Sequence, residues 1–318
     1  MIIVVCLNPA LDITHEVAAV DWAGVNRPGT VHDRPGGKGL NVARTLHALG
    51  ADVLVLGLAG GIAGTGVAEA LRQSGVRAAL TPISGQTRRT FTVVDGRGGV
   101  ASFYEPGPGV GAEEFAGFLD GYREAVDDSD AVVLSGSLPP GLPAGTYATL
   151  IEAAQGVPVV LDTHGQALHL GATAGPAVVK PNLAELEALA GRPLSVPGGA
   201  DHGADHRVDH QAITAAAGEL RCAGARAVVV TLGAAGLMAV TGDGGWRARP
   251  PAVAGNPTGA GDAVAAALAH GLVLGRPWDE RLRHAAALGA AAAAAPVAGE
   301  FRPGDYHGAL DAVTVEAL

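Results

Sequence analysis

Cysteine is almost missing from this chain of 318 residues: Cys6 and Cys222 are its only two, and they share no metal-ligand spacing. That excludes a disulfide framework and fits a reducing compartment. Charge is sparse as well, 16% of residues against 48% hydrophobic, which excludes intrinsic disorder and allows a large core. Basic residues are the minority, 21 against 31 acidic, for a formal net charge of -10. A broad basic face for nucleic acid or an anionic membrane is therefore not expected, and any anion site must be local. Long apolar runs are absent too. The longest, "AAALGAAAAAAPVA", falls short of the ~18 residues a membrane span needs. The opening "MIIVVCLNPALD" has neither the basic flank nor the length of a secretion signal, so the expected location is the cytoplasm.

Three familiar glycine or serine motifs are also missing. Lys38 in "PGGKGLN" is followed by Gly39, and position 32 is histidine, so the Walker phosphate loop is excluded. The first strand region carries no glycine fingerprint, and the GxGxxA at Gly96 to Ala101 falls in a hairpin pattern, which argues against a dinucleotide-binding dehydrogenase. Ser135 and Ser137 in "LSGSLPPG" do not form the GxSxG elbow of a hydrolase.

What is present is a rhythm of short β-branched runs between Ala/Leu-rich stretches. "MIIVVCL", "DVLVLGLAG", "AVVLSGS", "VPVVLDT", "AVVKPN" and "RAVVVTLGA" are apolar on consecutive positions, as strands buried on both faces should be. Most precede a helical pattern such as "TGVAEALRQSG" or "AELEALAG". The expected fold class is α/β, with a doubly wound, mostly parallel sheet. Two stretches, about 12–35 and 88–105, alternate apolar with polar residues instead, and predict exposed antiparallel strands forming a small β-sheet lid. The whole chain, 1–318, reads as one domain carrying that lid. An Asp-His pair repeats at Asp201/His202, Asp205/His206 and Asp209/His210; Gly198, Gly199 and Gly203 disfavour the helix that would align the imidazoles on a metal, so a solvated loop is expected there.

The stretch "NPTGAGDAVAAALAHGL", residues 256–272, carries the chemistry. Backbone N–H groups in a helix's first turn lack intrahelical partners and attract anions, and Gly259, Ala260 and Gly261 keep bulky side chains away from them. Asp262 at the same point would repel a bound phosphate unless a proton acceptor were needed there. Phosphoryl transfer to an alcohol needs both an anion hole and a base. The plainer alternative is an acid that complements the helix dipole behind a loop of small residues.

Other stretches supply binding groups, each with an ordinary reading beside it. Asp12 in "NPALD" can accept hydrogen bonds from sugar hydroxyls or merely close a turn after Pro9. Gly37, Lys38 and Asn41 offer bare amides, a cation and an amide side chain at a helix start, or a surface turn. Arg88 and Arg89 alternate along a lid strand, so only one can face the sheet below; if Arg88 does, it can grip a phosphate. Lys180, Asn182 and Glu185 in "KPNLAELEAL" can order nucleotide phosphates and, through water, Mg²⁺, or form a simple helix cap.

Together, "LNPALD", "PGGKGLNVAR", "TRRTFTVVD", "EPGPG", "SGSLPPGLP", "KPNLAEL", "TLGAAG" and "NPTGAGDA" run in order from Leu7 to Ala263. They resemble the PfkB carbohydrate kinases of the ribokinase-like fold, closest to the branch holding 1-phosphofructokinase and tagatose-6-phosphate kinase. The resemblance implies an α/β kinase whose β-lid closes over the sugar and forms a homodimer, with ATP and Mg²⁺ as cofactors and a sugar phosphate as substrate. Fructose 1-phosphate is the implied acceptor, with tagatose 6-phosphate or fructose 6-phosphate as alternatives. A non-catalytic sensor of sugar phosphate or nucleotide on the same fold is the reading from another class.

Carried over by position, the resemblance makes Asp262 the base, with Gly259, Ala260 and Gly261 as its anion hole. Asp12, Gly37, Lys38, Asn41 and Ser137 fall on the sugar side, and Arg88 with Lys38 falls on the substrate phosphate. Lys180, Asn182 and Glu185 match the ATP-Mg²⁺ motif, with Glu185 reaching the metal through water. Thr231, Gly233 and Gly236 match a loop at the nucleotide, and the helix from about His284 to Ala295 walls the adenine. Arg27 is implied as a second phosphate contact. The sequence departs from the family at Thr90, where Asn is frequent, at Cys6, where Thr is common, and at Thr258, where Val is frequent.

Overall fold

The computed structural model describes residues 1–97, 99–196, 207–295 and 297–318. The chain opens with β1 (Ile2–Cys6), β2 (Ala10–Val17) and β3 (Thr30–Gly36), followed by α1 (Lys38–Ala48), β4 (Val53–Ala59), α2 (Gly61–Gln73) and β5 (Arg77–Pro82). A hairpin, β6 (Arg88–Asp95) and β7 (Val100–Tyr104), leads to α3 (Ala112–Val126), β8 (Ala131–Ser135), α4 (Thr146–Ala153), β9 (Val159–Asp162) and α5 (Gly165–Thr173). Then come β10 (Val178–Val179), α6 (Leu183–Ala190), the two-residue strands β11 (Ser195–Val196) and β12 (Arg207–Val208), α7 (His210–Ala223) and β13 (Val228–Thr231). The chain finishes with β14 (Leu237–Val240), β15 (Gly245–Arg249), α8 (Ala260–Val273), α9 (Trp278–Ala294), α10 (Pro303–Ala312) and β16 (Thr314–Ala317).

The main sheet runs β16-β15-β14-β13-β10-β9-β8-β1-β4-β5, parallel from β13 to β5. Its central strands are the β-branched runs read from sequence. In β1 and β8 every residue is buried, because helices cover both faces and leave no side of the pleat for water. Each fully buried Val, Leu or Ile there contributes ~1.5–3 kcal/mol of hydrophobic stabilisation. Strand order reverses at β1, which pairs with β4 on one side and β8 on the other. Loops leaving the carboxyl ends of these strands diverge at such a point and open a crevice. The antiparallel edge β14, β15 and β16 lies beyond the sequence expectation. Its strands are four or five residues long, and the last is separated from the others by three helices.

The lid is a four-stranded sheet, β3-β2-β6-β7, placed where alternation expects it but starting at Ala10 rather than Asp12. It is not wholly antiparallel. β2 and β6 pair in parallel, with Asp12 opposite Thr90, because both strands leave the carboxyl edge of the main sheet in the same direction and the chain between them passes through the main sheet.

Within the Ala-rich stretch, Ala285 to Ala292 are buried along α9. Its small residues bring α9 against α8: a Cβ built on Gly289 would stand 3.0 Å from Val264 Cγ2. Among the described residues no helix is long and apolar enough to cross a membrane. Asp201, His202, Asp205 and His206 lie outside the described residues. The last pair of that repeat is not in a loop: Asp209 caps α7 by accepting the Ala212 N–H at 3.0 Å, and His210 begins the helix.

α1 reaches the site by passing close over β1. A Cβ on Gly39 would lie 2.6 Å from Cys6 Cβ and 3.1 Å from the Val5 carbonyl, both rigid neighbours. Gly39→Ala is therefore expected to lower stability by about 1–3 kcal/mol, read from the denaturant midpoint at unchanged m. An unchanged midpoint would mean that α1 does not sit this tightly on β1.

Candidate active site

A cleft of about 1130 Å³ opens along the carboxyl edge of the parallel strands, under the lid. Apart from Arg27, the residues assigned a role from the sequence line it: Gly259, Ala260, Gly261 and Asp262; Asp12, Gly37, Lys38, Asn41, Arg88 and Ser137; and Lys180, Asn182, Glu185, Thr231, Gly233 and Gly236. Arg27 does not; it is exposed in the connection between β2 and β3.

Asp262 stands in the first turn of α8, which starts from Gly259 in the left-handed conformation (φ 86°). That conformation suits glycine, and a Cβ there would also press on Ala298 Cα at 3.0 Å. The Ala260 N–H is spent on the Pro257 carbonyl at 3.1 Å. Among the described residues no hydrogen bond takes the N–H of Gly261 or Asp262. Those two amides are therefore the anion-attracting part of the "GAGD" turn, a narrower set than the sequence implied. Gly261 faces a cation, since its Cβ would sit 3.6 Å from Lys180 Nζ.

The Asp262 side chain is only 6% exposed, and its Oδ2 accepts a 2.8 Å hydrogen bond from Asn41 Nδ2 on α1. Burial is the main influence pushing this carboxyl up to about 6, and the charge of Asp162 adds to it; Asn41, Lys38 and Lys180 oppose the rise.

Asp162, at the end of β9, is a member of the site that the sequence reading missed. It is 1% exposed and lies 3.2 Å from Lys180 Nζ and 3.5 Å from Lys38 Nζ. Its charge holds Lys38 above the ordinary lysine value. Among the described residues neither oxygen has a hydrogen-bond partner, so the lysines act on it as nearby charges. A buried carboxylate closing the apolar run "VPVVLD" was the available signal, because charge at the end of a buried parallel strand must face a partner or a ligand.

On the lid side, Arg88 is half-buried and donates through Nε to the Asn8 carbonyl at 3.2 Å, whereas Arg89 is exposed and pairs with Glu105 at 2.9 Å. The strand alternation placed them correctly. Asp12 lies over Gly36, where any Cβ would overlap its carboxylate, and its Oδ1 accepts a 2.6 Å bond from the buried Thr90 hydroxyl. Thr90 thus orients Asp12 from the facing strand. Asn8 donates to Ser137 Oγ at 3.2 Å. The bend between Ser135 and Ser137 is pinned because Tyr147 and Thr163 both donate to the Gly136 carbonyl, at 3.0 and 2.9 Å. Cys6, at the end of β1, is buried, and burial pushes its thiol up to about 11, away from the reactive thiolate form.

At the other end of the cleft, Asn182 and Glu185 form a reciprocal capping box on α6. Glu185 N–H donates to Asn182 Oδ1, and Asn182 N–H to Glu185 Oε2, each at 2.8 Å. The ordinary cap reading is thus realised, while both residues still line the cleft. Gly233 and Gly236, with φ of 59° and 95°, shape the turn after Thr231. Ala286, Gly289, Ala290 and Ala293 of α9 form a smooth apolar wall there. Among the described residues no three His, Cys, Asp or Glu side chains gather as a metal cage. Asp162 and Glu185 supply hard oxygens to the cleft, which fits Mg²⁺ held largely by water and phosphate oxygens.

A buried carboxylate beside unpaired first-turn amides, at the switch point of a parallel sheet and under a β-lid, is the arrangement of a phosphotransferase with an alcohol acceptor. The chain matches the pfkB family carbohydrate kinases over residues 7–303, and belongs to that family. Among solved structures it is similar to phosphofructokinase-2 from Escherichia coli in complex with potassium, at 29% identity and a TM-score of 0.89 over 98% of each chain. The same enzyme in complex with fructose-6-phosphate matches at 29% and 0.85, again over 98% of both. A Thermotoga maritima protein described as a possible 1-phosphofructokinase matches at 25% and 0.84, over 100% of this chain and 99% of that one. The fold is thus ribokinase-like, as the resemblance implied.

The raised Asp262 carboxyl has a consequence for stability. Its neutral form favours the folded state, so that contribution is full below the ordinary value of 3.8 and is lost as pH rises through about 6. Asp262→Asn, always neutral, is expected to melt higher than the parent at pH 7.5 and to approach it below pH 4. A variant less stable than the parent at pH 7.5 would contradict the burial of an ionised group.

Proposed function

We propose that the chain, acting as one unit over 1–318 in the cytoplasm, transfers the γ-phosphoryl group of ATP to the 6-hydroxyl of fructose 1-phosphate. The observation that carries this reading is Asp262, buried on the cleft wall with one oxygen fixed by Asn41 and the Gly261 and Asp262 amides beside it. The sugar hydroxyl gives its proton to Asp262 as its oxygen forms a bond to Pγ. The bond from Pγ to the bridging oxygen breaks, and ADP leaves with that electron pair. The amides and Lys180 stabilise charge on the migrating group.

Asp12, Gly37, Asn41 and Ser137 are assigned to the sugar, and Lys38 with Arg88 to the phosphate it already carries. Lys180, Asn182, Glu185, Thr231, Gly233 and Gly236 are assigned to ATP. Mg²⁺, when bound, neutralises phosphate charge. Asp162 and Glu185 would hold it, Glu185 through water. The thermodynamic cost of an ionised acid near phosphate is acceptable in such a site because Lys38 and Lys180 offset it.

A second acceptor has a specific observation behind it: the relative at 29% identity has been determined with fructose-6-phosphate, above the 25% of the relative described as a possible 1-phosphofructokinase. Comparing turnover of fructose 1-phosphate, fructose 6-phosphate, tagatose 6-phosphate and free fructose separates the readings. The highest kcat/KM is expected for fructose 1-phosphate; no ATP consumption with any of the four overturns the assignment. Asp262→Asn is expected to cut kcat by ~10²–10⁴-fold with ATP binding retained. Arg88→Ala should raise KM for the sugar phosphate far more than for ATP.

The lid is also assigned to a homodimer. Trp22 in the β2–β3 connection and Phe103 on β7 are exposed at 79 and 56%, apolar surface that a second lid would cover. E. coli phosphofructokinase-2 is known as a tetrameric inhibited form. Light scattering should give twice the chain mass, falling to one chain in Trp22→Asp/Phe103→Asp; a monomeric parent contradicts this.

A further inference from the structure

Asn41 is an amide, and either end can face a neighbour. Which end meets Asp262 decides whether the neighbour donates to the carboxylate or repels it. The structure presents Nδ2, at 2.8 Å. One helical step along α1, Arg44 donates through Nη2 to Asn41 Oδ1 at 2.7 Å. The same guanidinium donates to the Ala298 carbonyl at 3.0 Å and to the Pro35 carbonyl at the end of β3. Arginine has only donors and an ionised carboxylate only acceptors, so a chain running Arg44 to Asn41 to Asp262 has a single allowed polarity.

From this geometry we propose that Arg44 is a positioning residue: by occupying Asn41 Oδ1 it fixes the amide so that its NH₂ faces Asp262. Arg44 itself does not line the cleft and reaches it only through Asn41 and Ala298, which do. Its place is enforced from three sides. Asn41 is one turn away on the same helix, and Pro35 closes the lid strand. Gly299 lets the loop after α9 approach: a Cβ there would stand 2.8 Å from Arg44 Nη2 and 3.0 Å from Asn41 Oδ1. Lysine, a single ammonium on a flexible stem, cannot hold all three acceptors in one plane. The inference rests on reading Asp262 as the base.

Other charges face the same groups. Asp162 at the end of β9, Lys38 on α1 and Lys180 after β10 act on Asp262. Arg34 and Asp12 from the lid, Glu300 from the loop after α9 and Asp262 itself act on Arg44. These charges stay in place when Arg44 is replaced, so a change seen on replacement belongs to Arg44 or to the amide it holds.

The test is a carbon-13 titration of the Asp262 carboxyl in the parent, Arg44→Met, Asn41→Ala and the double variant, with kcat and KM measured alongside. In Arg44→Met the released amide turns and the facing cation is gone, so the midpoint is expected to rise by roughly half a unit or more. The kcat should fall about 10-fold or more with KM for ATP little changed. In the Asn41→Ala background, replacing Arg44 should move the midpoint clearly less than in the parent, because only the loss of its charge remains and the amide it holds is gone. An unmoved midpoint in Arg44→Met, or full additivity of the two substitutions, overturns the proposal. Should Arg44→Met fail to fold, Arg44→Lys carries the test: it keeps the charge and loses the fork, and an unmoved midpoint with unchanged kcat overturns it. A parent that consumes no ATP with any sugar phosphate defeats the kinase reading alone, since the titration needs no turnover.

Discussion

Burying a carboxylate strips it of water, and Asp262 stays usable only because the hydrogen bond from Asn41 and the charges of Lys38 and Lys180 offset that loss against the neighbouring Asp162. Two acids and two lysines share one pocket: Asp162 lies 3.2 Å from Lys180 and 3.5 Å from Lys38, and the charges of all three act on Asp262. The balance leaves Asp262 at about 6 rather than the ordinary 3.8, closer to the pH at which a group can take a proton and give it back. The lysines pull the carboxyl down and burial pushes it up, so each limits the other.

The rest of the scaffold holds those groups in register. Small residues do most of this. Gly259 turns the chain into α8, Gly289 lets α9 close on it, Gly39 lets α1 lie against β1, and Gly299 admits the loop that Arg44 binds. Each is a point where a Cβ would meet a neighbour at 3.0 Å or less. Reversal of strand order at β1 then aims four strand ends into a single crevice, and the lid strands leave from the same edge. Pro35 of the lid, Asn41 of the site and Ala298 of the loop after α9 all meet at Arg44, so one guanidinium ties the lid, α1 and that loop together.

Much of this was legible in the chain itself. The β-branched runs became the buried parallel strands because a strand covered on both faces has no polar side to betray it, and the lid showed itself by the opposite pattern, alternation. The Arg88 and Arg89 pair divided inward and outward as a two-residue period requires. What escaped reading depends on contacts between distant segments. Asp162 acquires its meaning only from Lys38 and Lys180, 124 and 18 positions away, and Arg44 from β3 and from the distant loop after α9. The parallel pairing of β2 with β6 has the same origin, since no local turn joins them. The capping box at Asn182 and Glu185 shows the reverse case, a stretch for which the local reading and the site reading hold together.

The pH dependence of kcat/KM, measured with whichever sugar phosphate is turned over fastest, tests most directly whether Asp262 is the group that takes the proton. Activity should fall tenfold per pH unit below about 6, as a single carboxyl near that value becomes protonated. A profile that stays flat from about pH 5 to about pH 8 would contradict it, because no group with the environment of Asp262 could then be receiving the proton in the rate-limiting step.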